Sequence, residues 1–188
     1  MSDEPNISPA LLIQPLDEFY AAAGQSLPPW QAIDGEEVPE PYKTMLVHRD
    51  DMTPTLEKFH RGTIHLRVLG RRRNGNEYSR EVVLLLNGAS TPVEFGAIKI
   101  YFDRFPEAAR ELILGEHRPL GTILDDCSII HTSRPKGFLK LASDRIIAEV
   151  LGFSGAHVLY GRRNTLFDAE ERPLAEIVEI LPPVDTNS

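Results

Sequence analysis

The sequence predicts an α+β protein: a single antiparallel sheet with helices packed against it. Three observations carry that expectation. Short apolar runs with strand periodicity recur along the chain, most are separated by hairpin-length turns rather than crossovers, and only a few helical segments interrupt them. A chain of 188 residues is long enough for one core that buries roughly two thirds of the unfolded surface.

In order, residues 1–41 are rich in Pro and acids. They contain one helical stretch, Leu16 to Ala23, stopped by Gly24 and by Pro28-Pro29-Trp30. This segment reads as an arm that Phe19 and Trp30 pin to the body. Residues 42–183 form the domain proper, and 184–188 a polar tail. Lys43 to His48 is expected as a short strand. Thr53-Pro54 supplies an N-cap and a first-turn proline for a helix through Phe59. Ile64, Leu66 and Val68 alternate with His65 and Arg67, Asn74-Gly75 turns the chain, and Tyr78 to Leu86 returns as a second strand. Asn87-Gly88 turns it again into a third strand, Val93 to Phe102.

Asp103 is expected to cap a helix with Pro106 near its start and Gly115 as its stop. Cys127 to Thr132 and Phe138 to Leu141 read as strands around a Pro135-Lys136-Gly137 loop. A helix from Ser143 to Leu151 follows and ends at Gly152. His157 to Leu166 and Pro173 to Leu181, joined by the acidic turn Asp168 to Glu171, complete a final hairpin.

The formal net charge of −8, from 28 acidic and 20 basic residues, leaves no electrostatic footprint for nucleic acid or an anionic membrane. No apolar run approaches the roughly 18 residues of a membrane span, and the first residues carry acids where a signal peptide carries Lys or Arg. A cytoplasmic location is expected. Cys127 stands alone, which excludes an internal disulfide and a cysteine-based zinc cluster, and reads as a plain buried thiol. Phosphate-cradling glycine loops, GxSxG and HExxH are all absent, so no metal or nucleotide cofactor is expected.

Few residues invite chemistry. Arg80 lies in the apolar strand SREVVLLL, on the face of Val82, Leu84 and Leu86, where a guanidinium needs an acidic partner such as Glu94 or Glu179, or a bound anion. Glu176 and Glu179, three apart in the last strand, point to opposite faces, so only one can reach a given pocket. Burial would raise the pKa of that one and suit it to proton transfer. Arg162-Arg163 likewise divides between faces, with one buried and one wet. Arg71-Arg72-Arg73 reads as a solvated cluster in a turn. His48, beside Asp50-Asp51, fits no familiar metal spacing and reads as a satisfied structural residue.

The stretches DDMTPTLEKF, SREVVLLLNG, RPLGTIL, YGRRNTL and PLAEIVEILPP, in this order between about Lys43 and Pro182, resemble those of the chorismate lyases. These enzymes remove pyruvate from chorismate to give 4-hydroxybenzoate, and the likeness is to their divergent bacterial members. The resemblance implies helical flaps over a buried aromatic ligand, no metal or cofactor, a monomer or weak homodimer, and a place in ubiquinone or aromatic secondary-metabolite biosynthesis. It carries Arg80 onto the arginine that holds the ring carboxylate. Met52 and Leu120 fall on the positions that add backbone contacts. Glu179 falls on the glutamate at the hydroxyl end of the ring, with Glu176 one register slip away.

The chemistry suits these residue types. Loss of the ring C4 proton and departure of enolpyruvate from C3 make an aromatic ring, so the protein chiefly binds, orients and excludes water. Two other readings remain. One is a binding module or sensor for an aromatic carboxylate, since effector-binding domains of bacterial transcription regulators are similar in fold. The other is an enzyme acting on a different chorismate-like ether or aromatic acid.

Overall fold

The computed structural model describes residues 8–87 and 91–184, so the expected turn at Gly88 lies outside the described residues. Apolar alternation builds seven strands among them: β1 (Trp30–Ile33), β2 (Ile64–Asn74), β3 (Glu77–Leu86), β4 (Thr91–Tyr101), β5 (Thr132–Ala142), β6 (Val158–Phe167) and β7 (Pro173–Ile180). They form one sheet in the order β1-β5-β6-β7-β4-β3-β2, and every pairing is antiparallel. This is the expected α+β architecture. The meander β2-β3-β4 and the hairpin β6-β7 fall where the turn chemistry put them.

Register sorts the side chains between two faces. Phe95 and Ala97 of β4, Val178 and Ile180 of β7, and Leu139 and Leu141 of β5 share a face with α1 (Leu16–Ala22) and α6 (Arg145–Leu151). Leu12, Leu16, Phe19 and Tyr20 close that layer, so the first segment of the chain is part of a core. Burying each such side chain contributes roughly 1.5–3 kcal/mol. The opposite face is covered by α2 (Tyr42–Leu46), α3 (Met52–His60), α4 (Glu107–Gly115) and α5 (Leu120–Asp126).

Several expectations are corrected. Residues 43–48 are not a strand: Tyr42, Met45 and Leu46 are all buried, and their i, i+3, i+4 spacing is that of α2. Trp30–Ile33 is an edge strand, paired with Phe138–Leu141, rather than an irregular part of an arm. The Pro135-Lys136-Gly137 loop is a bulge inside one continuous strand β5. Residues 127–131 precede that strand, and the helix α5 ahead of them, with Leu120, Ile123 and Leu124 buried, had not been expected.

Asp103 sits in a short 3-10 turn, and α4 ends with Glu116, not Gly115, in the left-handed conformation. Arg71 to Arg73 belong to β2, not to a turn; Arg71 pairs with Glu116 at 2.9 Å and Arg72 donates to the Glu18 carbonyl at 2.7 Å. The Cys127 thiol is half-buried rather than buried. No helix among the described residues is long and apolar enough to cross a membrane.

Candidate functional site: a cavity between the sheet and two helix starts

The face of the sheet beneath α2, α3, α4 and α5 carries an unusual row. Strand alternation places Arg80, Val82 and Leu84 of β3 on it. Their neighbours across the ladders are Glu94 and Ile98 of β4, Ile177 and Glu179 of β7, and Arg162 and Asn164 of β6. Together with Met52, Leu66, Pro119 and Leu120 most of these enclose a cavity with about 540 Å³ of space between protein atoms, part of it open to solvent. Met52 and Leu120 are the first residues of α3 and α5, so their N–H groups have no intrahelical acceptor.

Four ionisable side chains are buried on this face, at 1% exposure for Arg80, 0% for Arg162, 4% for Glu94 and 3% for Glu179. Their situations differ. The Arg162 Nε–H donates to the Glu179 carboxylate, and its Nη1 and Nη2 atoms donate to the carbonyls of Leu46, His48 and Asp50 at 3.2–3.4 Å. That is a satisfied ion pair. Among the described residues Arg80 has only the carbonyls of Ile113 and Arg118, each at 3.4 Å, and its buried Nε has no partner. Glu116, the carboxylate that acts on it through space, is engaged by the Tyr78 hydroxyl and by Arg71. Burial pushes the Arg80 pKa down to about 10, so it keeps its charge at neutral pH.

At the far end, Glu94 is wholly buried beside Glu179, and its Oε2 has no hydrogen-bond partner. Burial first, and the neighbouring Glu179 second, raise its pKa well above the usual carboxylate range against the opposing pull of Arg162. Glycines let β7 come close here: a Cβ at Gly96 would stand 2.1 Å from the Val178 carbonyl oxygen, and one at Gly161 2.4 Å from that of Glu179.

The sequence-derived residues thus converge. Arg80, Met52, Leu120 and Glu179 all line the one cavity, while Glu176 points to the other face and pairs with Arg163 at 3.0 Å. Neither suggested salt bridge of Arg80, to Glu94 or to Glu179, is formed. Arg162 and Arg163 do point to opposite faces, but both are buried, so the expectation of one wet arginine is corrected. His48 is structural in part as expected, its Nε2 lying 2.6 Å from the Met45 carbonyl; its Nδ1 lies 3.3 Å from Arg162, and burial lowers its pKa.

Asn164 and His131 carry no signal in the sequence that marks them for a role. The Asn164 side chain donates to Ser133 at 2.9 Å and leaves its own oxygen buried and unpaired. His131 lies 2.7 Å from Asp51, which lines both the cavity and an open groove beside it.

No model of a known protein family matches the chain, and no curated protein does. Solved structures share its fold. The effector domain of PhnF from Mycobacterium smegmatis superposes with a TM-score of 0.54 at 13% identity, over 70% of this chain and 87% of that domain. A structure of PhnF from the same organism gives 0.54 at 13% identity over 73% of this chain and 65% of its own. A ligand-binding domain described as that of a GntR-family transcriptional regulator from Bordetella bronchiseptica gives 0.47 at 16% identity, over 63% and 85%.

The chain thus shares its fold, the chorismate lyase-like one, with the effector domain of PhnF. At such identities the likeness speaks for architecture alone, and the chain spans only about two thirds of the longer PhnF chain.

Proposed function

We propose that the protein is a ligand-binding module that closes around one small aromatic monocarboxylate of the 4-hydroxybenzoate class. The observation that carries this reading is Arg80: a fully buried guanidinium, without a carboxylate, facing an apolar cavity. An uncompensated buried charge costs several kcal/mol, and a bound carboxylate supplies the missing partner with bidentate geometry. The N–H groups of Met52 and Leu120 add to that grip. Val82, Leu84, Ile98 and Leu166 flank the ring.

Charge counting favours a monoanion. Arg162 is neutralised by Glu179, which leaves Arg80 as the cation open to a ligand among the described cavity residues. Titration of the protein with 4-hydroxybenzoate in a calorimeter should give one site, and Arg80→Ala should abolish it with the fold intact. Undiminished binding by that variant would refute the assignment.

A second reading is favoured by Glu179, a carboxylate at the end of the cavity away from Arg80. There it could take the C4 proton of chorismate while the C3–O bond breaks; the C–H electron pair closes the aromatic ring, and enolpyruvate leaves to pick up a proton as pyruvate. Equimolar pyruvate and 4-hydroxybenzoate from chorismate, lost in Glu179→Gln, would establish that lyase. Intact chorismate beside tight binding of 4-hydroxybenzoate would leave the protein a sensor.

A further inference from the structure

The two ends of the cavity are held in different charge states, and the far end has a group with no partner. Arg80 pairs across the ladder with Ile98, and Leu84 with Glu94, so Arg80 and Glu94 sit four residues apart along one face of adjacent strands. At about 3.3 Å per residue that separation is ~13 Å. Both side chains point into the same cavity, one from each end.

Around Glu94 the buried groups do not balance if every acid is ionised. Arg162 is one cation, and Glu179 already takes its Nε–H. A second carboxylate on Glu94 would be an excess negative charge at 4% exposure, and no hydrogen bond reaches its Oε2. Among the described residues the His48 ring lies 3.3 Å from Arg162, with the Asp50 charge acting on that ring, and the apolar Leu84 stands across the ladder from Glu94. Buried anions without donors are several kcal/mol too costly, so the acid keeps its proton. Burial and the adjacent Glu179 act in that same direction.

A protonated carboxyl is a hydrogen-bond donor, and an acid held neutral by an apolar site can use that donor on a ligand. We infer that Glu94 is a specificity-determining residue, a neutral acid that donates a hydrogen bond to the oxygen a bound ring carries opposite its carboxylate. This rests on the ligand reading above and deepens it. A phenolic oxygen fits the corner because it does two things at once: it accepts from Glu94 and donates its own proton to the Glu179 carboxylate. An amino group in the same place donates well but accepts poorly, and an unsubstituted ring does neither. The site therefore selects 4-hydroxybenzoate over 4-aminobenzoate and benzoate.

Calorimetric titration of these three acids into the full chain, as wild type, Glu94→Gln and Glu94→Leu, tests the inference. The wild type should prefer 4-hydroxybenzoate to each of the others by about tenfold or more, the loss expected when a buried donor goes unpaired. Glu94→Gln keeps a neutral donor and should retain most of that preference. Glu94→Leu should lose it, with benzoate binding unchanged or tighter, and thermal melts of both variants report whether the fold survives.

Benzoate that binds through Arg80, with an unaltered preference in Glu94→Leu, overturns the role of Glu94 alone. Equal wild-type affinity for the hydroxy and amino acids overturns the donor. If none of the three acids binds the wild type, the ligand reading falls and takes this inference with it.

Discussion

Arg162 and Arg163 are adjacent on β6, both are buried, and they do different work on the two faces of the sheet. Arg163 faces the layer of α1 and α6, where Glu176, with a side chain 27% exposed, meets its Nη2 at 3.0 Å and water is near. Its neighbours there are groups such as Tyr101 and Asp17, and the rest of the face is close-packed apolar core. Arg162 faces the side covered by α2 to α5, where Glu179 and three backbone carbonyls enclose it with no exposure. Beyond it lie an unpaired acid, an unpaired amide oxygen and, at the other end, an arginine without a carboxylate. Among the described residues unmatched polar atoms occur on both faces, since Nε and Nη1 of Arg163 are also buried without a partner, but only on the Arg162 side do they surround a cavity. Unmatched buried groups persist where a ligand completes them.

That contrast is broken most directly by removing each arginine in turn. Arg162→Leu strands Glu179 beside Glu94 and should destabilise the fold by about 3–5 kcal/mol. Arg163→Leu leaves Glu176 able to reach water and should cost about 1 kcal/mol. Equal shifts in urea unfolding would show that the two faces are not different in kind. Next in size is Arg80→Met, which should lower affinity for 4-hydroxybenzoate by about 2–5 kcal/mol while leaving the melting temperature equal or higher. A variant that unfolds instead would make Arg80 a structural residue like Arg162.

Glu94→Gln sharpens the comparison through pH. The folded value of Glu94 lies well above its ordinary 4.5, so its contribution to stability is complete below about pH 4.5 and is lost as pH rises through the folded value. The relevant neighbours are Glu179, Arg162 and His48. Glutamine does not ionise, so the variant should gain on the wild type by about 1.4 kcal/mol for each pH unit crossed between those two values. Parallel stability curves between about pH 5 and pH 8 would mean that Glu94 is not held neutral.

Much of this was legible in the chain. Period-two alternation and Asn-Gly or acidic turns located β2, β3, β4, β6 and β7, because those strands each have an apolar face that fixes their register. Arg80 stood out as a charge inside SREVVLLL, and the odd spacing of Glu176 and Glu179 required that they part. What failed was short and context-dependent. The five residues of α2 satisfy either period, and α5 is a seven-residue helix whose buried Leu120, Ile123 and Leu124 become a pattern only once a sheet lies beneath them. Glu94 was weighed only as a salt-bridge partner for Arg80, and nothing local in TPVEFGAIKI says that the cation it meets is Arg162, 68 positions on. His131 and Asp51 are 80 residues apart and meet only through the tertiary fold.

The smallest expected effect tests where the cavity ends. The His131 Nε2–H donates to Asp51 at 2.7 Å and its Nδ1 lies 3.0 Å from the Ile129 carbonyl, so both ring nitrogens suit the charged form. The hydrogen bond to Asp51 raises the His131 pKa to about 9 from an unfolded value near 6.5. Its stabilisation is therefore fully present below about pH 6.5 and disappears as pH rises through about 9. Asp125 acts in the same direction, and Arg49, Lys58 and Arg134 share the groove.

His131→Gln should remove a pH-dependent contribution of about 1 kcal/mol, a modest figure because the pair is only partly shielded from solvent. Asp51 also lines the cavity and immediately precedes α3, whose first N–H belongs to Met52, without a side-chain capping bond. When His131 loses its proton, the Asp51 charge is no longer offset and opposes a ligand carboxylate held by Arg80. His131→Gln should accordingly bind 4-hydroxybenzoate more weakly than the wild type already at neutral pH, where Arg80 is charged in both. A His131→Gln variant with wild-type affinity at neutral pH would place Asp51 electrically outside the site.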